Sequence, residues 1–135
     1  MAFRSGSAVA VAGAVAVLGT VAGTTASAAS AVSAAPAVTA ASCYASSGNL
    51  YCGNKVNASI WKSPRYDTPT GNPVEIVDTL RSGFSYFQCY TIGQSHGGGN
   101  SIWYRTYGDD HGAWGYVPAV DVWTPQDPFP GVAFC

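Results

Sequence analysis

The chain has 135 residues, of which 13 are charged and 17 aromatic, and a net charge of −1. Residues 1–42 hold 16 Ala but one charge and one aromatic, so a folded body is expected over 43–135 only. A body of that size excludes a dinucleotide-binding α/β fold, a TIM barrel or a multidomain enzyme. Its five Lys and Arg against seven Asp and Glu, with no basic stripe, give no electrostatic support for nucleic acid or an anionic membrane surface as partner.

At the N-terminus, Arg4 precedes an apolar run from Ala8 to Leu18. Small-residue cleavage sequences follow at Ala26-Ser27-Ala28, Val32-Ser33-Ala34 and Val38-Thr39-Ala40. This pattern predicts a signal peptide over 1–28, with cleavage as late as 40, and an Ala-rich flexible linker over 29–42. A membrane anchor needs about 20 strongly apolar residues. Here Gly13, Gly19, Thr20, Gly23, Thr24 and Thr25 dilute the run. Lipidation of Cys43 is disfavoured, because no Leu stands among the three residues before it. The expected location is extracellular.

Four Cys in a small secreted body predict two disulfides. The stretch from Cys43 to Cys52 reads as a hairpin about Ser47-Gly48. That register sets Tyr44 opposite Tyr51 and brings Cys43 opposite Cys52, within bridging reach. Cys89 and Cys135 are then the second pair, tethering the C-terminal tail. The absence of a C-x-x-C pair argues against zinc, and no metal or cofactor is expected.

Beyond the hairpin, no stretch has apolar residues at helical spacing. Gly and Pro punctuate short runs rich in β-branched and aromatic residues, which predicts an all-β body. Strands are expected near 59–62, 75–80, 84–91, 101–107, 113–118 and 120–123. A Pro-containing connection runs between the first two. Gly93–Asn100 is a Gly-rich loop, and Gly108-Asp109-Asp110-His111-Gly112 is a hairpin turn. Three Pro between 125 and 130 make the tail extended.

Four segments stand in order over 56–123: Ala58-Ser59-Ile60-Trp61-Lys62-Ser63-Pro64, Val77-Asp78-Thr79-Leu80-Arg81-Ser82-Gly83, Ser101-Ile102-Trp103-Tyr104-Arg105 and Gly112-Ala113-Trp114-Gly115-Tyr116-Val117-Pro118. Together they resemble the bacterial SH3-type domain. The resemblance implies a small SH3-like β-barrel with an N-terminal disulfide hairpin and a disulfide-tethered tail. Leu80, Val77, Ile102 and Val117 suit its interior, and Gly83 and Gly115 its corners. It further implies a non-enzymatic binding module for cell-wall peptide or glycan. Trp103 and Pro118 fall on groove-lining positions of peptide-binding relatives, and Tyr104, Tyr116 and Tyr66 are expected to join them. The family's Tyr three residues beyond the Pro is Asp121 here, which weakens the match to a polyproline groove.

Two motifs compete with that reading. Gly93-Gln94-Ser95-His96-Gly97 fits the G-x-S-x-G nucleophile elbow, and His96-Gly97-Gly98-Gly99 fits an oxyanion motif. Three consecutive Gly cannot begin the helix an elbow requires, and the two motifs share residues that a hydrolase draws from separate loops. No catalytic residue is therefore assigned. His111 beside Asp109 and Asp110 reads as a solvated turn. The Asn57-Ala58-Ser59 sequon matters only in a eukaryotic secretory route. The partner expected is a cell-wall component or an extracellular protein, with the chain monomeric. The rival reading is a small secreted protease inhibitor or toxin-like effector.

Overall fold

The computed structural model describes residues 42–135. The expected signal peptide, its cleavage sites and nearly all of the linker lie outside the described residues.

The body is all-β, with strands β1 (Tyr44–Ser46), β2 (Asn49–Gly53), β3 (Ala58–Trp61), β4 (Ile76–Leu80), β5 (Phe84–Phe87), β6 (Cys89–Ile92), β7 (Ile102–Tyr107) and β8 (Trp114–Pro118). A single 3₁₀ turn, Ala119–Asp121, follows β8. A strand was expected there. Instead the chain turns after Pro118, and only Val122 regains a ladder contact, with Asn54.

The N-terminal hairpin forms in the expected register, Tyr44 opposite Tyr51. Ser47 (φ 51°) and Gly48 (φ 81°) both take positive φ, as a two-residue I′ turn requires. The register carries Cys43 to Cys52, and the second bridge joins Cys89 to Cys135. Tyr90 N–H donates to the Ala133 carbonyl and Cys135 N–H to the Tyr90 carbonyl, so the tail runs along the free edge of β6.

The expected strand 84–91 is two strands. Gln88 N–H donates to the Arg105 carbonyl while Cys89 already pairs with Arg105, so one extra residue sits in the ladder. Such a bulge bends a strand and lets it change sheets. Accordingly β5 pairs with β2 in the sheet β1-β2-β5, whereas β6 pairs with β7 in the sheet β4-β3-β8-β7-β6. The expectation of one closed barrel is corrected here. No strand of the described residues pairs β4 with β6, and the tail takes the β6 edge instead.

The core lies where the two sheets face each other. Leu50, Cys52, Ala58, Ile60, Leu80, Phe87, Tyr104 and Val117 are buried in it. Val77 and Ile102 pack against it half-buried. Strand alternation then sends Trp103, Arg105 and Tyr107 of β7, and Trp114, Tyr116 and Pro118 of β8, to the opposite, outer face.

Candidate functional site

The outer face holds two aromatic groups. The first is centred on Trp103. Tyr66, from the loop between β3 and β4, sits 5.1 Å from the Trp103 ring and 5.1 Å from Trp61. His96, from the loop between β6 and β7, meets Trp103 edge-on at 6.0 Å. Trp103 Nε1–H donates to the Gln94 carbonyl at 2.8 Å. Gln94 binds the other loop as well. Its N–H donates to the Pro64 carbonyl, its Oε1 accepts from Tyr66 N–H, and its Nε2 donates to Asp67. Gly93 permits this closure, because a Cβ there would lie 2.1 Å from the Pro64 carbonyl oxygen and 2.7 Å from Trp103. The two loops therefore roof Trp103, which has no exposed surface.

This corrects the expected groove. Trp103 and the Pro118 opposite it are buried and offer a ligand no face. Tyr104 is also buried, on the inner side of β7. Burial raises its phenol well above the ordinary value, so it stays protonated. It donates to Asp127 at 2.9 Å and accepts from Phe129 N–H, which anchors the tail. Tyr66 and Tyr116 are half-buried, so the structure brings Tyr66 to Trp103 but separates Tyr104 from both. What remains open between the loops is a cavity of about 310 Å³ lined by Arg65, Asp67, Thr68, Pro69, Gly93 and Gln94.

The elbow and oxyanion motifs have a local use. Gly98 N–H donates to His96 Nδ1, so Nε2 carries the proton and donates to the Ile102 carbonyl at 2.9 Å. The buried imidazole pins its own loop. Ser95 Oγ lies 3.1 Å from Ser101 Oγ, a contact across the same loop.

The second group is a ladder of rings in continuous contact. Phe84 meets Tyr44 at 6.5 Å, Tyr44 stacks on Tyr51 at 5.0 Å, and Tyr51 meets Tyr86 at 5.5 Å. Tyr86 meets Tyr107 at 6.0 Å and Tyr107 meets Trp114 at 5.3 Å. The Arg105 guanidinium closes the row, 4.8 Å over the Trp114 ring. The ladder crosses from one sheet to the other where β5 passes β7, a junction tied by Thr106 Oγ1–H donating to the Tyr86 carbonyl at 2.6 Å. No loop covers it. Tyr44 is 51% exposed, and Tyr107 and Trp114 are each 44% exposed.

Beside the ladder lies a smaller cavity of about 160 Å³, with Phe84, Tyr86 and Tyr107 on its rim and Ser82, Ser85 and Asp109 supplying polar groups. Tyr86 donates to Asn49 Oδ1, while the hydroxyls of Tyr44, Tyr51 and Tyr107 make no hydrogen bond among the described residues. Standing rings with free hydroxyls offer large, rigid, amphipathic contact at low entropic cost.

Tyr107 ends β7 and Trp114 begins β8, so the turn between them aims both rings. Asp78 holds that turn. Its buried carboxylate accepts from Asp110 N–H (3.1 Å), His111 N–H (3.0 Å) and Ala113 N–H (2.9 Å), and from its neighbour Thr79 N–H (2.8 Å). Burial alone would raise its pKa. The four N–H donors outweigh burial and lower it to about 2.

The ladder was only partly signalled in the sequence. The hairpin register already paired Tyr44 with Tyr51, a cross-strand aromatic contact. Tyr107 and Trp114 flank a turn, and Phe84 and Tyr86 alternate on one strand face. Nothing local joined the three pairs, because β2–β5 and β7–β8 belong to different sheets. No protein-family model, curated protein or solved structure matches this chain.

Proposed function

We propose that the chain is a secreted, non-enzymatic binding module of the SH3-like kind, and that its ligand is an envelope glycan held on the aromatic ladder. The observation that carries this reading is the continuous, unroofed row from Phe84 to Trp114. Exposed contiguous aromatic surface on a small body marks an interaction site. Ring edges and faces suit the C–H faces of sugars, and the phenol hydroxyls, Ser82, Ser85 and Asp109 suit sugar hydroxyls. Secretion is supported by two disulfides, which persist in oxidising compartments. No helix among the described residues is long and apolar enough to cross a membrane. The SH3-like reading rests on the four sequence segments over 56–123, which fall on β3, β4, β7 and β8.

Retention on purified cell walls tests the proposal. Tyr107→Ala and Trp114→Ala should each weaken retention about tenfold, as aromatic hot spots do. Their unfolding midpoints should move little, because half-exposed rings contribute modestly to stability. Unchanged retention in both variants would overturn the reading.

A further inference from the structure

The five Lys and Arg of the described residues divide into two sets. Lys55 pairs with Asp121, Lys62 with Glu75 and Arg81 with Asp110. Arg65 and Arg105 have no carboxylate within ion-pair distance among the described residues. Arg65 shares its cavity with Asp67, which offsets its charge there. Arg105 is different on three counts. It lies on the sheet face, opposite Tyr116 and Cys89 rather than on a loop. Its guanidinium is already oriented, with one face against Trp114 and Nη1 donating to Gln88 Oε1 at 2.5 Å. It also lines a cavity of about 440 Å³, the walls of which include Tyr116, Phe134 and Cys135.

A half-buried Arg held over an indole has already lost much of the freedom that binding would cost it. Its remaining N–H donors form a planar fork that matches a carboxylate. Gln88 is neutral and satisfies one donor only. Arg105 therefore offers an anion an oriented partner, on the wall of a cavity and beside the last ring of the ladder.

We propose that Arg105 reads a carboxylate on the bound glycan, so that the ligand is an acidic, uronic-type polysaccharide rather than a neutral one. This rests on the ladder being the glycan site. Sugar rings stack along Tyr44 to Trp114, and a carboxylate in the adjoining cavity pairs with the guanidinium. The preference for acid comes from Arg105 and the affinity shared with neutral sugars from the rings.

The test titrates the full chain with uronate oligosaccharides of several linkages and with the same oligosaccharides after carboxyl reduction, followed by tryptophan fluorescence. The acidic forms should bind about tenfold more tightly at low salt, the size of one charge-assisted contact. That advantage should shrink as salt is added. Arg105→Gln should remove it while leaving the reduced forms bound as before, and Arg105→Lys should keep part of it. The wild-type comparison stands even if a variant fails to fold. Equal binding of acidic and reduced forms, both lost in Tyr107→Ala, would overturn the carboxylate inference and leave the glycan reading in place. Binding of neither form, with capture of an acidic peptide instead, would overturn both.

Discussion

The Trp103 cluster and the end of the ladder at Tyr107 and Trp114 are made from the same residue types on the same outer face of β7 and β8, yet one is closed and the other open. Trp103 has Tyr66 and His96 against it and two loops locked over it by Gln94. Trp114, also on the outer face, has Tyr107 and Arg105 beside it and remains 44% exposed. The first arrangement converts an aromatic into a structural post that fastens both loops to the sheet. The second leaves rings in water, a cost that folding alone does not explain. Residue type and strand face do not separate a packing aromatic from a binding one. What separates them is whether distant backbone can approach closely enough to cover the ring, and at Trp103 that depends on Gly93.

The sharpest way to break this contrast is Trp103→Ala. Losing a fully buried Trp should cost about 3–5 kcal/mol, read from chemical denaturation. Trp114→Ala in the same assay should cost far less. Equal losses would show that the two groups are not distinct. Next in size is the tail. Replacing Cys89 and Cys135 by Ala opens a loop with sequence separation 46, and should cost about 2–4 kcal/mol. It frees the β6 edge and Phe134 and opens the Arg105 cavity but leaves the ladder rings in place, so wall retention through the rings should persist below unfolding while the preference for acidic glycan is lost.

The third effect is smaller and separates the two groups by pH. Asp78 aims the ladder end without touching the Trp103 cluster. Its folded pKa of about 2 lies below the ordinary value of 3.8. A lowered pKa stabilises above the unfolded value, and the stability is lost as pH falls through the folded value. Stability should therefore decline from near pH 4 towards pH 2. Asp78→Asn should flatten that decline and cost about 2 kcal/mol at neutral pH, since an amide cannot accept all four N–H donors. It should also weaken wall retention while the fluorescence of buried Trp103 is kept. A variant with an unaltered acid profile would show that the clamp on the 108–113 turn is not what depressed the carboxylate.

Much of the architecture was legible because it is local. Alternation placed most strands within a residue or two, Ser47-Gly48 announced its turn, and the register that paired Tyr44 with Tyr51 also joined Cys43 to Cys52. Only two segments departed from local expectation. At Gln88 a single extra residue turned one strand into two and carried β5 to another sheet. At 119–121 a 3₁₀ turn replaced a strand. The expected site fared differently. Tyr66, Trp103, Tyr104, Tyr116 and Pro118 were chosen as aromatic or groove-lining positions, and three of them are buried.

By itself, the sequence determined an all-β body with two disulfides and more aromatics than a small core can hide. Strand period and turn chemistry act over a few residues, so they can be read in order along the chain. Only the tertiary structure decided which rings face water. That outcome rests on contacts between residues far apart in sequence. Gln94 meets Pro64 over Trp103, Tyr86 meets Tyr107 across the sheet junction, and Arg105 settles on Trp114.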